Sequence, residues 1–336
     1  MIDIIIPIYN TDKNILLRCL NSIYMQTEID KINVILVNDG GNTDYDDIVA
    51  FFNKHYNNII LIGYKDNKGP AYARQYGIDN SFSPYFMFID SDDTLATPIS
   101  VKVLLDTMLE DGKPKSAIAS TFYEIAAESY NSNHTYLLEY KEDFTWLFGK
   151  LYNRDFINKY QIKFLTDYKS NEDAGFNSCI KLCCDQNYPI IRIDDITYYW
   201  HNNNNSITRK DNSAYSFGNG QDDCFYGYCK NMEYAILFAL ERGIDFRKIE
   251  SFAYHCLCNI YLQYIENQAR APHLIGPKLS MAQEFYNNIF HYFNYNFNLE
   301  YAITEYNMIM KSSYDKNRLW NIIPQISLFD FLNQIK

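Results

Sequence analysis

The sequence is short of several things, and each shortage removes a class of protein. No two of its 8 cysteines form a CxxC pair, so a zinc finger or ribbon has no ligand frame. The adjacent Cys183 and Cys184, and Cys256 and Cys258 two apart, read as helix positions, which points to reduced thiols in a cytoplasmic compartment. No apolar run approaches the length of a membrane span, and the opening MIDIIIPIYN has no basic n-region ahead of what reads as a strand. No glycine-rich phosphate loop with its lysine follows that strand, which disfavours a nucleotidyltransferase. Basic residues are few: 30 Lys and Arg against 41 Asp and Glu leave a net charge of -11, a poor electrostatic match to a phosphate backbone, so nucleic acid is not the expected partner.

What is present is a chain of 336 residues, 47% apolar, enough to bury a core and long enough to predict two domains. Short apolar runs at 3–8, 33–38, 59–63 and 85–90 alternate with helical spacings such as Leu16, Cys19, Leu20 and Ile23, or Val101, Leu104, Leu105 and Met108. That alternation predicts βαβ units and an α/β fold with a Rossmann-like, mainly parallel sheet. Each strand ends in polar residues: Tyr9 and Asn10, Asn38 and Asp39, Tyr64 to Lys68, and Asp90 to Asp93. Ligands of open α/β sheets bind at the carboxyl ends of the strands, so these clusters are expected to share one crevice. From 115 to 210 the pattern turns mixed, with SAIASTFYEIA and HTYLLEY as a hairpin-like pair and strands at 190–200. Beyond a polar stretch at 205–218 the chain reads as helices over 225–242, around Ile249 to Ile260, and at 278–293, 300–311 and 325–335. The expected division is a catalytic domain at 1–210 and a helical domain at 211–336, the latter for acceptor selection or for homo-oligomerisation.

Aromatic residues make up 17% of the chain, and sugar stacking is one use for them. Many fall at core spacing in the helical tail, including Phe238, Phe252, Tyr261, Phe285 and Phe290. Tyr9, Trp146, Tyr198, Tyr199 and Trp200 stand apart as residues that could touch a ligand.

The segment FIDSDDTL crowds Asp90, Asp92 and Asp93 at a strand end. A divalent cation, Mn²⁺ or Mg²⁺, would relieve the repulsion, since it takes one or two carboxylates together with the oxygens of a diphosphate. An Asp-rich turn supplying Asx-turns and a helix cap is the competing reading. The acidic Glu172 and Asp173 precede AGFNSCI, where they serve a helix N-terminus, an acid–base step, or both.

Taken together, DIIIPIYN, VILVNDGGNTD, DNKGPAYARQYGID and YFMFIDSDDTL, followed by FGKLYNRDFI, SNEDAGF and YYWHNNNNSIT, resemble in order and spacing the nucleotide-sugar domain of family 2 glycosyltransferases of the GT-A fold. The resemblance covers about the first 210 residues. It implies that Pro7, Tyr9 and Asn10 line the nucleobase and ribose, and that Asp39 reads the base. Lys68, Gly69 and Arg74 then face the diphosphate or the acidic cluster. Asp90, Ser91 and Asp92 become the DxD segment, with Asp90 and Asp92 on the metal and His201 near it. Asp173 becomes the base, with Glu172 orienting the acceptor. Two departures are Gly41, where the family often has serine, and Gln75, where asparagine is common. The implied activity is metal-dependent, inverting transfer from a nucleoside-diphosphate sugar, UDP-linked by preference, to a hydroxyl of a glycan, lipid-linked or surface-polymer acceptor. The alternatives are the same donor chemistry on modified DNA or protein, and an inactive nucleotide-sugar-binding scaffold.

Overall fold

The structure, a computed structural model, describes residues 1–109, 118–120, 123–126, 136–139, 146–168, 170–193, 195–201, 224–270, 272–294, 297–310 and 324–336. Two compact units emerge: Met1–Thr166 with Cys183–Ser206, and Asp167–Leu182 with Ile207–Lys336. The segment 167–182, inside the first domain expected from the sequence, thus groups with the helices. The polar stretch expected to hold the boundary lies outside the described residues, apart from its neighbour His201.

In the first unit, β1 (Ile2–Ile8) lies inside a seven-stranded sheet, third from one edge. It pairs in parallel with β2 (Ile32–Asp39) and β4 (Tyr85–Phe88), and β2 pairs in parallel with β3 (Ile59–Tyr64). Both faces of β1 are covered, which is why it reads as a continuous apolar run rather than an alternating one. Ile4, Ile6 and Ile8 meet α1 (Lys13–Tyr24) and α4 (Ser100–Met108) in the main core cluster. Ile5 faces the other way, against Gly77 of α3 (Pro70–Asp79), where a Cβ would stand 2.4 Å from the Ile5 Cγ2. A short helix, α2 (Asp46–His55), carries Asp46 and Asp47 in its first turn and Lys54 and His55 in its last, matching the helix dipole.

The run SAIASTFYEIA is divided between two sheets. Its first part, β6 (Ile118–Ser120), joins the large sheet between β9 (Lys150–Asn153) and β10 (Ile190–Arg192), with β9 the antiparallel member. Its second part, β7 (Tyr123–Ala126), forms the expected antiparallel pair with β8 (Tyr136–Glu139). These two belong to a four-stranded sheet with β5 (Thr94–Leu95) and β11 (Tyr198–Trp200). A helix α5 (Arg154–Tyr160) follows β9 directly, capped by Asn153.

At the amino end of the sheet Asp3, 2% exposed, accepts from Ser83 N at 2.7 Å, Phe82 N at 2.9 Å, Asn33 Nδ2 at 2.9 Å and Arg154 at 3.1 Å. Arg154 in turn donates to the carbonyls of Ser83 and Ile78 and to Ser81 Oγ. Removing one member of such a buried pair strands the other charge. Asp3→Ala is expected to lower unfolding free energy by about 3–5 kcal/mol, read as a drop in the urea midpoint; an unchanged midpoint would show that this end of the sheet does not depend on the pair.

The second unit contains α6 (Glu172–Cys183), α7 (Cys224–Glu241), α8 (Phe246–Arg270), α9 (Ile275–Phe290), α10 (Leu299–Ile309) and α11 (Leu328–Ile335). The aromatic stripes of the tail are its core: Phe238, Tyr261, Phe285, Phe290 and Phe331 are all buried. Tyr254 sits among Phe290, Phe297 and Tyr301, and its hydroxyl accepts the Asn298 N–H at 2.6 Å. Among the described residues no helix is long and apolar enough to cross a membrane.

Candidate active site

Because β1 to β4 run parallel, their carboxyl ends lie on one edge, and the register sets Ile8 beside Asn38 and Asp39 beside Tyr64. The polar clusters at the strand ends are joined there by side-chain bonds. Asn10, with a left-handed φ of 49°, accepts the Asn42 N–H at 2.8 Å and the Thr43 N–H at 3.3 Å through its Oδ1. Asn38 clasps Gly41 in both directions, at 2.8 and 3.0 Å. A Cβ at Gly41 would fall 2.8 Å from the Asn10 backbone nitrogen, so the glycine found where serine is common fits a tighter turn rather than an emptied pocket edge. Tyr9 is 54% exposed beside Asn10, and Pro7 is half-buried within β1.

Asp39 is 4% exposed and organises the next loop. Its Oδ1 accepts from the Tyr64 hydroxyl and the Lys68 N–H, both at 2.8 Å, and its Oδ2 from the Gly69 N–H at 3.0 Å. Gly69, at φ 89°, and Pro70 start α3 in the order expected for a helix entry. The exposed Lys68 ammonium lies 4.2 Å from the Tyr72 ring centroid, held by a cation–π contact. On the buried face of α3, Arg74 donates to Asp90 Oδ1 at 2.8 Å, so the expected pairing of this cation with the acidic cluster is present. Gln75 on the same helix bonds Asp79 and the Phe164 N–H.

The three aspartates after β4 have separated roles. Asp93 is turned inward, 1% exposed, accepting from the Tyr198 hydroxyl at 2.6 Å and the His201 N–H at 2.8 Å. Burial, reinforced by the charges of Asp90 and Asp92, pushes its carboxyl well above the usual range. These bonds tie the Asp93 carboxyl to β11 and His201, neither an Asx-turn nor a helix cap. Asp90 and Asp92 stay at the partly exposed rim. Ser91 bonds Thr11 Oγ1 at 2.9 Å, and Arg18, from the exposed face of α1, donates to the Asp92 carbonyl. His201 contacts Thr94 Oγ1 through Nε2 at 2.9 Å, and burial, with the nearby Arg18 charge, lowers its pKa, which favours the neutral ring.

Among the described residues no three His, Cys, Asp or Glu side chains gather as a metal cage. The partly exposed Asp90 and Asp92 carboxylates would suit a cation completed by phosphate oxygens rather than one enclosed by protein. Strand alternation puts Tyr198 and Trp200 on the face packed against the core cluster, with Tyr198 fully buried, stacked on Phe148 at 5.2 Å and bonded to Asp93, and leaves Tyr199, half-buried, on the other face.

Sequence reading missed Arg18, Thr11 and Thr94. Asp12 caps α1, accepting from the Asn14 and Ile15 N–H, which leaves the neighbouring Thr11 for Ser91. Arg18 carried no signal beyond a polar position on an amphipathic helix. In the second unit, Glu172 is buried and Asp173 half-buried in the first turn of α6, with Asp173 Oδ1 accepting the Ala174 N–H at 2.8 Å.

Comparison with known proteins agrees with this arrangement. A protein from Staphylococcus epidermidis, teichoic acid poly(glycerol phosphate) polymerase, is 39% identical over 95 residues, covering 28% of this chain and 13% of its own length. Glycosyltransferase GlyG of Streptococcus pneumoniae is 30% identical over 117 residues, 35% of this chain and 36% of its own. The chain therefore spans about an eighth to a third of these relatives. Among solved structures, S. aureus TarS 1–349 in complex with UDP-GlcNAc matches with a TM-score of 0.61 at 15% identity, over 94% of this chain and 92% of that one, a likeness of fold. The model of glycosyl transferase family 2 matches residues 3–170, half of the chain and all four strand ends just described. With the acidic turn, the Asp39 clamp and the parallel sheet edge inside that match, the chain belongs to glycosyltransferase family 2.

Proposed function

We propose that the chain is a metal-dependent, inverting glycosyltransferase that moves a sugar from a UDP-sugar to a hydroxyl of a glycan, lipid-linked or surface-polymer acceptor. The observation that carries this reading is the division of labour among the aspartates: Asp93 is consumed inside the fold, while Asp90, steadied by Arg74, and Asp92 remain at the rim. Asp90 and Asp92 would hold Mn²⁺ or Mg²⁺, which when bound neutralises the charge that develops on the departing diphosphate. The UDP-GlcNAc complex of TarS supports a uridine donor, and the teichoic acid polymerase supports a surface-polymer acceptor.

In the proposed reaction Asp39, through the acceptor capacity its internal bonds leave, faces the nucleobase, and Tyr9 lies along the ribose. An alcohol is a weak nucleophile until its proton has somewhere to go. Asp173 takes that proton as the acceptor oxygen bonds C1 of the sugar and the C1–oxygen bond to the diphosphate breaks on the opposite face, which inverts the anomeric centre. Glu172 orients the acceptor.

A panel of nucleotide sugars with Mn²⁺ or Mg²⁺, read by release of nucleoside diphosphate, tests the proposal. UDP release from at least one UDP-sugar is expected. Binding without turnover of any donor would favour the scaffold reading instead.

A further inference from the structure

The first helix of the tail grips the segment that presents Glu172 and Asp173. Asn231, in the third turn of α7, is fully buried, and its Nδ2 donates to the Ser170 carbonyl at 3.0 Å and to the Gly227 carbonyl at 2.9 Å. Asn171 has a left-handed φ of 57°; its Nδ2 donates to the Cys224 carbonyl at 2.8 Å, and its own carbonyl accepts the Gly175 N–H at 3.1 Å. The approach of the two elements is close enough to require glycine on each. A Cβ on Gly227 would stand 2.0 Å from Ser170 Oγ, and one on Gly175 would stand 2.3 Å from Asn231 Oδ1. The backbone is thus tied to α7 by hydrogen bonds just before the acidic pair, at Ser170 and Asn171, and packed closely against Asn231 just after it, at Gly175, by residues more than fifty positions away in sequence.

We infer that Asn231 and Asn171 are positioning residues: through Ser170 and the α6 entry they set the direction of the Asp173 carboxylate toward the acceptor hydroxyl. This rests on the proposed role of Asp173 as base, and it gives the start of the helical tail a part in the chemical step beyond acceptor choice or oligomerisation. Proton transfer in the transition state is sensitive to donor–acceptor geometry, so a carboxylate swung aside by a loosened anchor loses rate while donor binding is untouched.

The test uses the full chain, with UDP-GlcNAc as probe and water as acceptor, following UDP release, and with UDP binding measured by calorimetry. Asn231→Asp keeps the volume but turns an acceptor toward two carbonyls. Asn171→Gly accepts the left-handed backbone and deletes only the side-chain tie, so it keeps the test informative should Asn231→Asp fold poorly. Both are expected to lower kcat on the order of 100-fold with unchanged UDP affinity. In an Asp173→Asn background Asn171→Gly is expected to add no further loss, because a positioning residue has nothing left to position. If Asp173→Asn is inactive while Asn171→Gly turns over like wild type, the positioning role alone is overturned. Full activity in Asp173→Asn, or no UDP release by the wild type, overturns the base assignment and this inference with it. A further loss in the double variant equal to that of Asn171→Gly alone would show a merely structural anchor.

Discussion

Asp92→Asn is expected to abolish the gain in UDP affinity that Mn²⁺ or Mg²⁺ confers and to slow transfer by about 10²–10³-fold, the effect of losing several kcal/mol of charge stabilisation. The substitution is nearly isosteric. Arg18 holds the Asp92 carbonyl, a backbone atom that the change leaves alone, and the turn beyond is secured by Asp93 through Tyr198 and the His201 N–H. The urea midpoint of Asp92→Asn, measured beside its rate, separates loss of the donor set from a loosened turn. Calorimetry with UDP, with and without the metal, is the measurement. Wild-type binding indifferent to metal, or a variant that keeps the metal effect, would remove Asp92 from the proposed donor set.

Asp173→Asn is expected to lower kcat by about 10²–10⁴-fold, the range that a positioned general base supplies, with UDP binding retained. Asparagine preserves the amide oxygen that can accept the Ala174 N–H, so the first turn of α6 keeps its bond. What disappears is basicity. Steady-state rates beside a UDP titration separate the two outcomes: equal losses in rate and in UDP affinity would indicate a disturbed fold, and undiminished turnover would place the base elsewhere.

Much of the first unit could be read before any coordinates. Strands β1, β2 and β4 announced themselves because a parallel strand buried on both faces must be apolar throughout, and polar residues then mark its end sharply. Asp90 and Asp92 could be singled out for the same reason, since charge beside such a run needs a purpose, whereas Arg74 was named only by the family resemblance. Other parts were hidden by their physics. SAIASTFYEIA looks like one strand because a change of sheet leaves no mark in local hydropathy, yet it feeds two. Asp93 could not be told from its neighbours, because what distinguishes it is the hydroxyl of Tyr198, 105 positions later. Arg18 and Asn231 were invisible for a similar reason: each is one polar residue on a helix, and its importance lies in a backbone carbonyl brought to it by the fold. The grouping of 167–182 with the helical unit likewise follows from long-range contacts that composition does not record.

The bond between Asp93 and Tyr198 also bears on the order in which the protein is made. The strands that carry the acidic turn emerge early in synthesis, but Asp93 acquires its hydroxyl and amide donors only after residue 201 has been added. Until then a carboxyl group destined for the interior has water as its only donor, and closing over it buries a polar group without a partner. Completing the acidic turn thus depends on β11, a contact between segments more than a hundred positions apart, the kind of long-range pairing that slows folding.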